Sequence, residues 1–178
     1  MLTKSGPAFT VFGLFCAVWT ACDHGLPSEP ERPAGISGRL SFQGEWPPNI
    51  AQIAVAVYQD APSTVDDFFT LAGSDTDTPL GVSAYDYLVP VQRPGVYRWI
   101  VVAWREEDSF WNFNSLLGCY HLTGATLPSA VEVERGEITE EIDIVIDFAT
   151  LQAENAAATD ICRNALPAAL LEQLAAGQ

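Results

Sequence analysis

Basic residues are scarce: one lysine, Lys4, and seven arginines face 23 acidic residues, giving a formal charge of −15 over 178 residues. Nucleic-acid binding needs Lys or Arg clusters to meet phosphates, and no such run exists, so DNA and RNA are excluded as partners. Histidine is almost as rare, with His24 near the N-terminus and His121 the only one inside the predicted domain. A Ser-His-Asp or Cys-His nucleophile would have to be built on His121. Cys119 lies two residues away on a predicted strand, so the two side chains share a face. No further Cys or His stands near them to complete four zinc ligands. Glycine-rich phosphate loops are missing as well. Beyond the first 21 residues no apolar run is long enough to span a bilayer, which needs about 20 such residues. These absences leave no catalytic residue, cofactor or metal to assign.

What is present begins with the leader. Residues 1–21, MLTKSGPAFTVFGLFCAVWTA, carry a positive start at Lys4 and an apolar stretch from Ala8 to Ala21. That stretch is too short to cross a membrane and reads as a removable secretory signal. Its loss leaves seven arginines against 23 acidic residues, a net charge of −16. Such a surface either attracts cations or is simply solvated and self-repelling.

The end of the leader, Val18-Trp19-Thr20-Ala21-Cys22, resembles the bacterial lipobox, in which a small residue precedes a cysteine that is acylated and becomes the new N-terminus. Thr20 and Ala21 fit the pattern, whereas Trp19 stands where an aliphatic residue is usual. The resemblance implies lipidation at Cys22 and a place in the bacterial cell envelope. Ordinary cleavage after Thr20, giving a secreted soluble product, is the alternative. Residues 22–34 are polar and proline-bearing, the composition of an extended tether. Two or more acyl chains anchor stably, at about 0.8 kcal/mol per buried CH₂. With Cys16 lost in the leader and Cys22 acylated, Cys119 and Cys162 remain as an even pair, which suits a disulfide in an oxidising compartment. Two buried free thiols are the other possibility.

From Gly35 the periodicity is that of strands. Ile36, Gly38, Leu40 and Phe42 alternate with Ser37, Arg39, Ser41 and Gln43, one face dry and one wet. Ile50 to Tyr58 is apolar on both faces and reads as a central strand. The long connection Asp60 to Thr78 holds a capping-box-like Ser63 and Asp66, predicting a short helix through Leu71. Further strands are expected at Val82 to Val91, Val96 to Arg105, Leu116 to Leu122, Val131 to Glu134 and Ile142 to Phe148. Seven short strands over residues 35–148 predict a mainly β, antiparallel two-sheet sandwich of immunoglobulin or transthyretin type. Residues 149–178 are alanine-rich, with Pro167 placed to start a helix carrying Leu170, Leu171 and Leu174. A Cys119–Cys162 bond would pin this tail to the sandwich.

Three motifs carry a second resemblance: Gly35-Ile36-Ser37-Gly38-Arg39-Leu40, Pro94-Gly95-Val96-Tyr97, and Val131-Glu132-Val133-Glu134-Arg135-Gly136. Together they resemble the transthyretin-like sandwich of the carboxypeptidase regulatory-like family across residues 35–148. The long connection at Asp60 to Thr78 and the Cys119 region depart from that pattern. The resemblance implies a non-catalytic accessory or binding domain and brings no functional residues with it.

Two side-chain classes invite chemistry. Asp75 and Asp77, beside Ser74, Thr76 and Thr78, offer hard oxygen ligands of the kind Ca²⁺ accepts, without the full spacing of a calcium loop. Glu106-Glu107-Asp108, Glu140-Glu141 and Asp66-Asp67 are the carboxylates from which a hydrolase pair would have to come. Aromatic residues gather at Trp104, Phe110, Trp111, Phe113 and Tyr120. Exposed, Trp111 with Phe110 and Phe113 would form a ligand platform able to stack on sugar rings; buried, the rings cap the core. The expectation is a tethered accessory or interaction domain with an envelope protein or glycan as partner. A carbohydrate-binding module is the alternative and an envelope hydrolase the third reading.

Overall fold

The alternation at residues 36–43 is realised as β1 (Ala34–Gln43), with Ile36, Leu40 and Phe42 turned into the core. The computed structural model describes residues 33–111, 115–151 and 161–176, all within the unit Glu31–Gln178. The leader, Cys22, most of the tether and Phe113 lie outside the described residues.

β1 is the spine of the first sheet. It pairs antiparallel with β4 (Ala84–Val91), Ile36 opposite Val89 and Leu40 opposite Tyr85. Its other edge runs parallel first to β9 (Ile138–Thr139) and then to β10 (Ile144–Asp147). The second sheet is wholly antiparallel, in the order β3 (Gly73–Asp75), β2 (Ile50–Tyr58), β6 (Trp99–Glu106), β7 (Leu116–Cys119). The sheets face each other over one core. Ile36, Leu40, Tyr87, Val89, Ile144 and Ile146 from the first meet Ile53, Val55, Val57, Ile100 and Val102 from the second. The expected sandwich is what forms, with a helical C-terminal tail, and parallel pairing along β1 is its addition to the antiparallel plan.

Three expectations change in detail. The run Val96 to Arg105 is two strands rather than one. β5 (Gly95–Tyr97) pairs with β8 (Val131–Val133), while β6 pairs with β2. The break falls at Arg98, whose N–H donates to Gln59 O (3.0 Å) and whose guanidinium pairs with Asp60 (2.9 Å). The strand expected through Leu122 stops at Cys119, so His121 lies in an exposed loop and shares no strand face with Cys119. The long connection also supplies an unforeseen edge strand, β3, joined to β4 by Asp75. That buried residue's carboxylate accepts from the Asp77 N–H (2.8 Å), the Leu88 N–H (3.2 Å) and the Tyr85 hydroxyl (3.3 Å). Asp75 thus ties two sheets together instead of waiting for a cation.

Tyr87 makes a similar tie within the core. Its buried hydroxyl donates to Ile142 O (2.6 Å), in the segment leading into β10. Tyr87→Phe should therefore cost about 1–2 kcal/mol, because it strands a buried carbonyl while keeping the ring. Urea unfolding checks this; an unchanged midpoint would show that water replaces the phenol.

Candidate functional site

A strand apolar on both faces needs cover on both, and β2 and β6 obtain it differently along their length. On the face turned away from the sandwich core, the register sets Gln52 opposite Arg105, Ala54 opposite Ala103, Ala56 opposite Val101, and Tyr58 opposite Trp99. The C-terminal tail covers the Trp99 end. Cys119 and Cys162 form a disulfide with Cα atoms 5.6 Å apart. The Trp99 indole N–H donates to Cys162 O (3.0 Å), and Leu166 and Leu170 complete a second, smaller core there. Pro167 opens the last helix, Ala168–Ala176, accepting at its carbonyl from the Leu170 and Leu171 N–H groups.

Toward the alanine pairs the cover stops. Ala54, Ala56 and Ala103 are too short to rise far from the sheet, and a groove of about 410 Å³ lies over them. Val65, Phe68, Phe69 and Leu71 wall one side, and Trp111, Leu116 and Leu174 also line it. Among the described residues of the lining, Ser74 and Thr76 are the hydroxyl side chains besides Tyr58, and none is a carboxylate, histidine or thiol. The Tyr58 hydroxyl donates to Phe68 O (2.9 Å), and burial pushes its pKa up to about 12. At the groove's edge Phe69 is 81% exposed and Trp111 44% exposed. Large apolar groups left open together on one face mark a binding surface more often than single exposed residues do.

The Phe68 wall is set by a local knot. Residues Asp66–Phe69 form one 3-10 turn. Its reciprocal hydrogen bonds run to Asp67, one residue later than the spacing of Ser63 and Asp66 predicts. The Asp67 Oδ2 accepts from the Ser63 hydroxyl (2.7 Å), the Ser63 N–H (2.9 Å) and the Thr64 N–H (2.8 Å). These bonds, the Ser63 hydroxyl foremost, hold the Asp67 carboxyl down to about 2 from 3.8. A depressed folded pKa means that the knot's contribution is whole above the unfolded value and is lost as pH falls through about 2. Carboxyl ¹³C titration should place the Asp67 midpoint there, with Ser63→Ala moving it back up. A midpoint near the ordinary aspartate value in the unaltered chain would dissolve the knot.

No family model, curated protein or solved structure matches this chain.

The groove's geometry divides the predicted aromatic cluster. Trp111 reaches the groove, and Phe110 projects beside it at 91% exposure without lining the cavity. Trp104 and Tyr120 pack instead against the inter-sheet core, on the opposite side of the second sheet. The carboxylate candidates do not converge on the groove either. Asp67 is committed to its turn, and Glu106 accepts from the Asn49 amide at the strand end. Ala54, Ala56, Ala103, Phe68 and Phe69, which make the site, were not singled out from sequence. The one local signal for them is alanine at alternate positions of strands otherwise built from large residues. Among the described residues no helix is long and apolar enough to cross a membrane, and no group of three or more Asp, Glu, His or Cys converges on a metal-sized site.

Proposed function

We propose that this chain is an exported envelope protein, lipid-anchored through Cys22, whose sandwich is a non-catalytic binding module. In this reading its site is the groove over Ala54, Ala56 and Ala103. The groove carries the proposal: an apolar cavity of about 410 Å³ falls within the size range of small-ligand sites. The leader and the Val18–Cys22 motif support the address. The resemblance to the carboxypeptidase regulatory-like sandwich supports an accessory role, and its first motif opens β1 while its second forms the turn into β5.

A glycan is the second reading, favoured by the open rings of Phe110 and Trp111. It ranks behind an apolar ligand because sugar hydroxyls need partners once buried, and the lining offers few.

Two measurements test the proposal. Mass spectrometry of the membrane fraction should recover an acylated Cys22 peptide, whereas a soluble product beginning at Ala21 would end the anchoring claim. Nile red, an uncharged apolar dye, should bind saturably, and Ala103→Phe should abolish that binding by filling the floor. Equal binding by the variant would put the site elsewhere.

A further inference from the structure

Resting on the binding-module reading, we infer that the groove takes a single-chain amphiphile with an anionic head, of the fatty-acid class. Its chain lies over the alanines and its head meets Arg105.

Past the Ala54–Ala103 pair comes Gln52 opposite Arg105, so the apolar floor ends on a cation. Arg105 Nε donates to Gln52 Oε1 (2.8 Å), and Gln52 Nε2 in turn reaches Thr76 O (3.5 Å), tying this polar end across three chain segments. The guanidinium also sits over the Trp111 ring, 5.9 Å from its centroid, within the range of a cation–π contact. A chain lying along Trp111 is thereby led to Arg105.

Among the described residues this cation has no anionic partner, although the molecule is strongly acidic. Arg39 pairs with Asp86 at 2.7 Å and Arg98 with Asp60 at 2.9 Å. Among the described residues Arg105 has no carboxylate within ion-pair distance. Its further contact is Nη1 to Glu106 O at 3.5 Å, a weak one. A guanidinium carries five N–H donors in a fork suited to a carboxylate, so donors remain for a ligand. Nearby acids are the counterweight: Glu106, bonded to Asn49, and Glu107 and Asp108, exposed past the strand end. They favour a small head that reaches the guanidinium directly over a bulky polyanion.

Size points the same way. About 410 Å³ lies at the low end of small-molecule sites, room for one aliphatic chain rather than two. The shortage of polar lining disfavours a sugar, and the single cation at one end disfavours a wholly apolar guest.

The test titrates the full mature chain with laurate and, separately, 1-dodecanol, both below self-association, following tryptophan fluorescence. Laurate should bind one-to-one and about tenfold or more tighter than dodecanol, the value of one charge-assisted hydrogen bond. Arg105→Gln should bring that ratio to about one, Arg105→Lys should keep most of it, and Ala103→Phe should abolish both. A ratio near one in the unaltered chain, or one insensitive to Arg105→Gln, overturns the anionic-head assignment while leaving the groove. Nile red binding without either amphiphile overturns the ligand class, as does displacement of laurate by a soluble oligosaccharide. If Nile red also fails to bind, the groove reading falls instead.

Discussion

Replacing Cys119 and Cys162 with alanine will lower the stability of the domain by about 4 kcal/mol and its Tm by about 10 °C. The two cysteines are 43 residues apart, and opening that loop returns to the unfolded chain the freedom that the cross-link removes. The native state loses less, because Leu166 and Leu170 can still rest on Trp99. That packing and the Trp99 indole bond to the residue 162 carbonyl then have to hold the tail, and part of it should come away. Leu174, on the same helix, lines the groove, so the loss should reach the site as well as the core. Two readings check this. Urea unfolding of the double variant should show the lower midpoint, and tryptophan emission before unfolding should shift red as Trp99 gains solvent. A variant within 1 kcal/mol of the parent, with unshifted emission, would mean that helix packing rather than the bridge seats the tail.

The tail also shows where sequence reasoning reaches. Pro167 followed by leucines at helical spacing announces the last helix, and the even cysteine pair left on the expectation of export announces the bridge. Both signals are local or arithmetical. The alternation in β1 and the two-sided apolarity of β2 are equally plain, since a period of two reports burial directly. That same two-sided reading says nothing of what covers the second face. One part of it lies under the tail and another under no described element, and the difference depends on segments far apart meeting over Ala54 and Ala103. The split at Arg98 was hidden for a related reason: β5 and β6 form one apolar run, and only their separate partners, β8 and β2, make them two. Trp104 packs on the inter-sheet core and Trp111 lines the groove on the other side of the same sheet, a parity that the loop between them erases.

Gly38 carries the second large effect. Along one edge β1 has two parallel partners, β9 at Gly35 and Ile36, then β10 from Leu40 onward. Between them the chain must leave one ladder position and rejoin at another. Glu141 makes the bend, with a left-handed φ of 64° that a non-glycine residue adopts only at a cost. Ile142 then lies directly on Gly38. Its N–H donates to Ser37 O (3.1 Å), its carbonyl accepts from Tyr87, and the Arg39 N–H donates to Asp143 Oδ1 (2.8 Å). A Cβ at Gly38 would overlap the Ile142 backbone, which has no rotamer by which to move aside. Gly38→Ala should therefore cost about 3 kcal/mol, at the upper end of overpacking, by pushing the β10 lead-in off β1 and breaking these bonds together. Gly118→Ala is the matched control. It too is a strand glycine, fully buried where Gly38 is half-buried, but its nearest neighbour would be 3.7 Å from the new methyl, an ordinary contact. There the change should be within about 1 kcal/mol of neutral, aided by the smaller entropy of the unfolded chain. Equal losses at the two positions in urea unfolding would mean that any strand glycine here resists a side chain, and that the crossing at Ile142 has no special claim on Gly38.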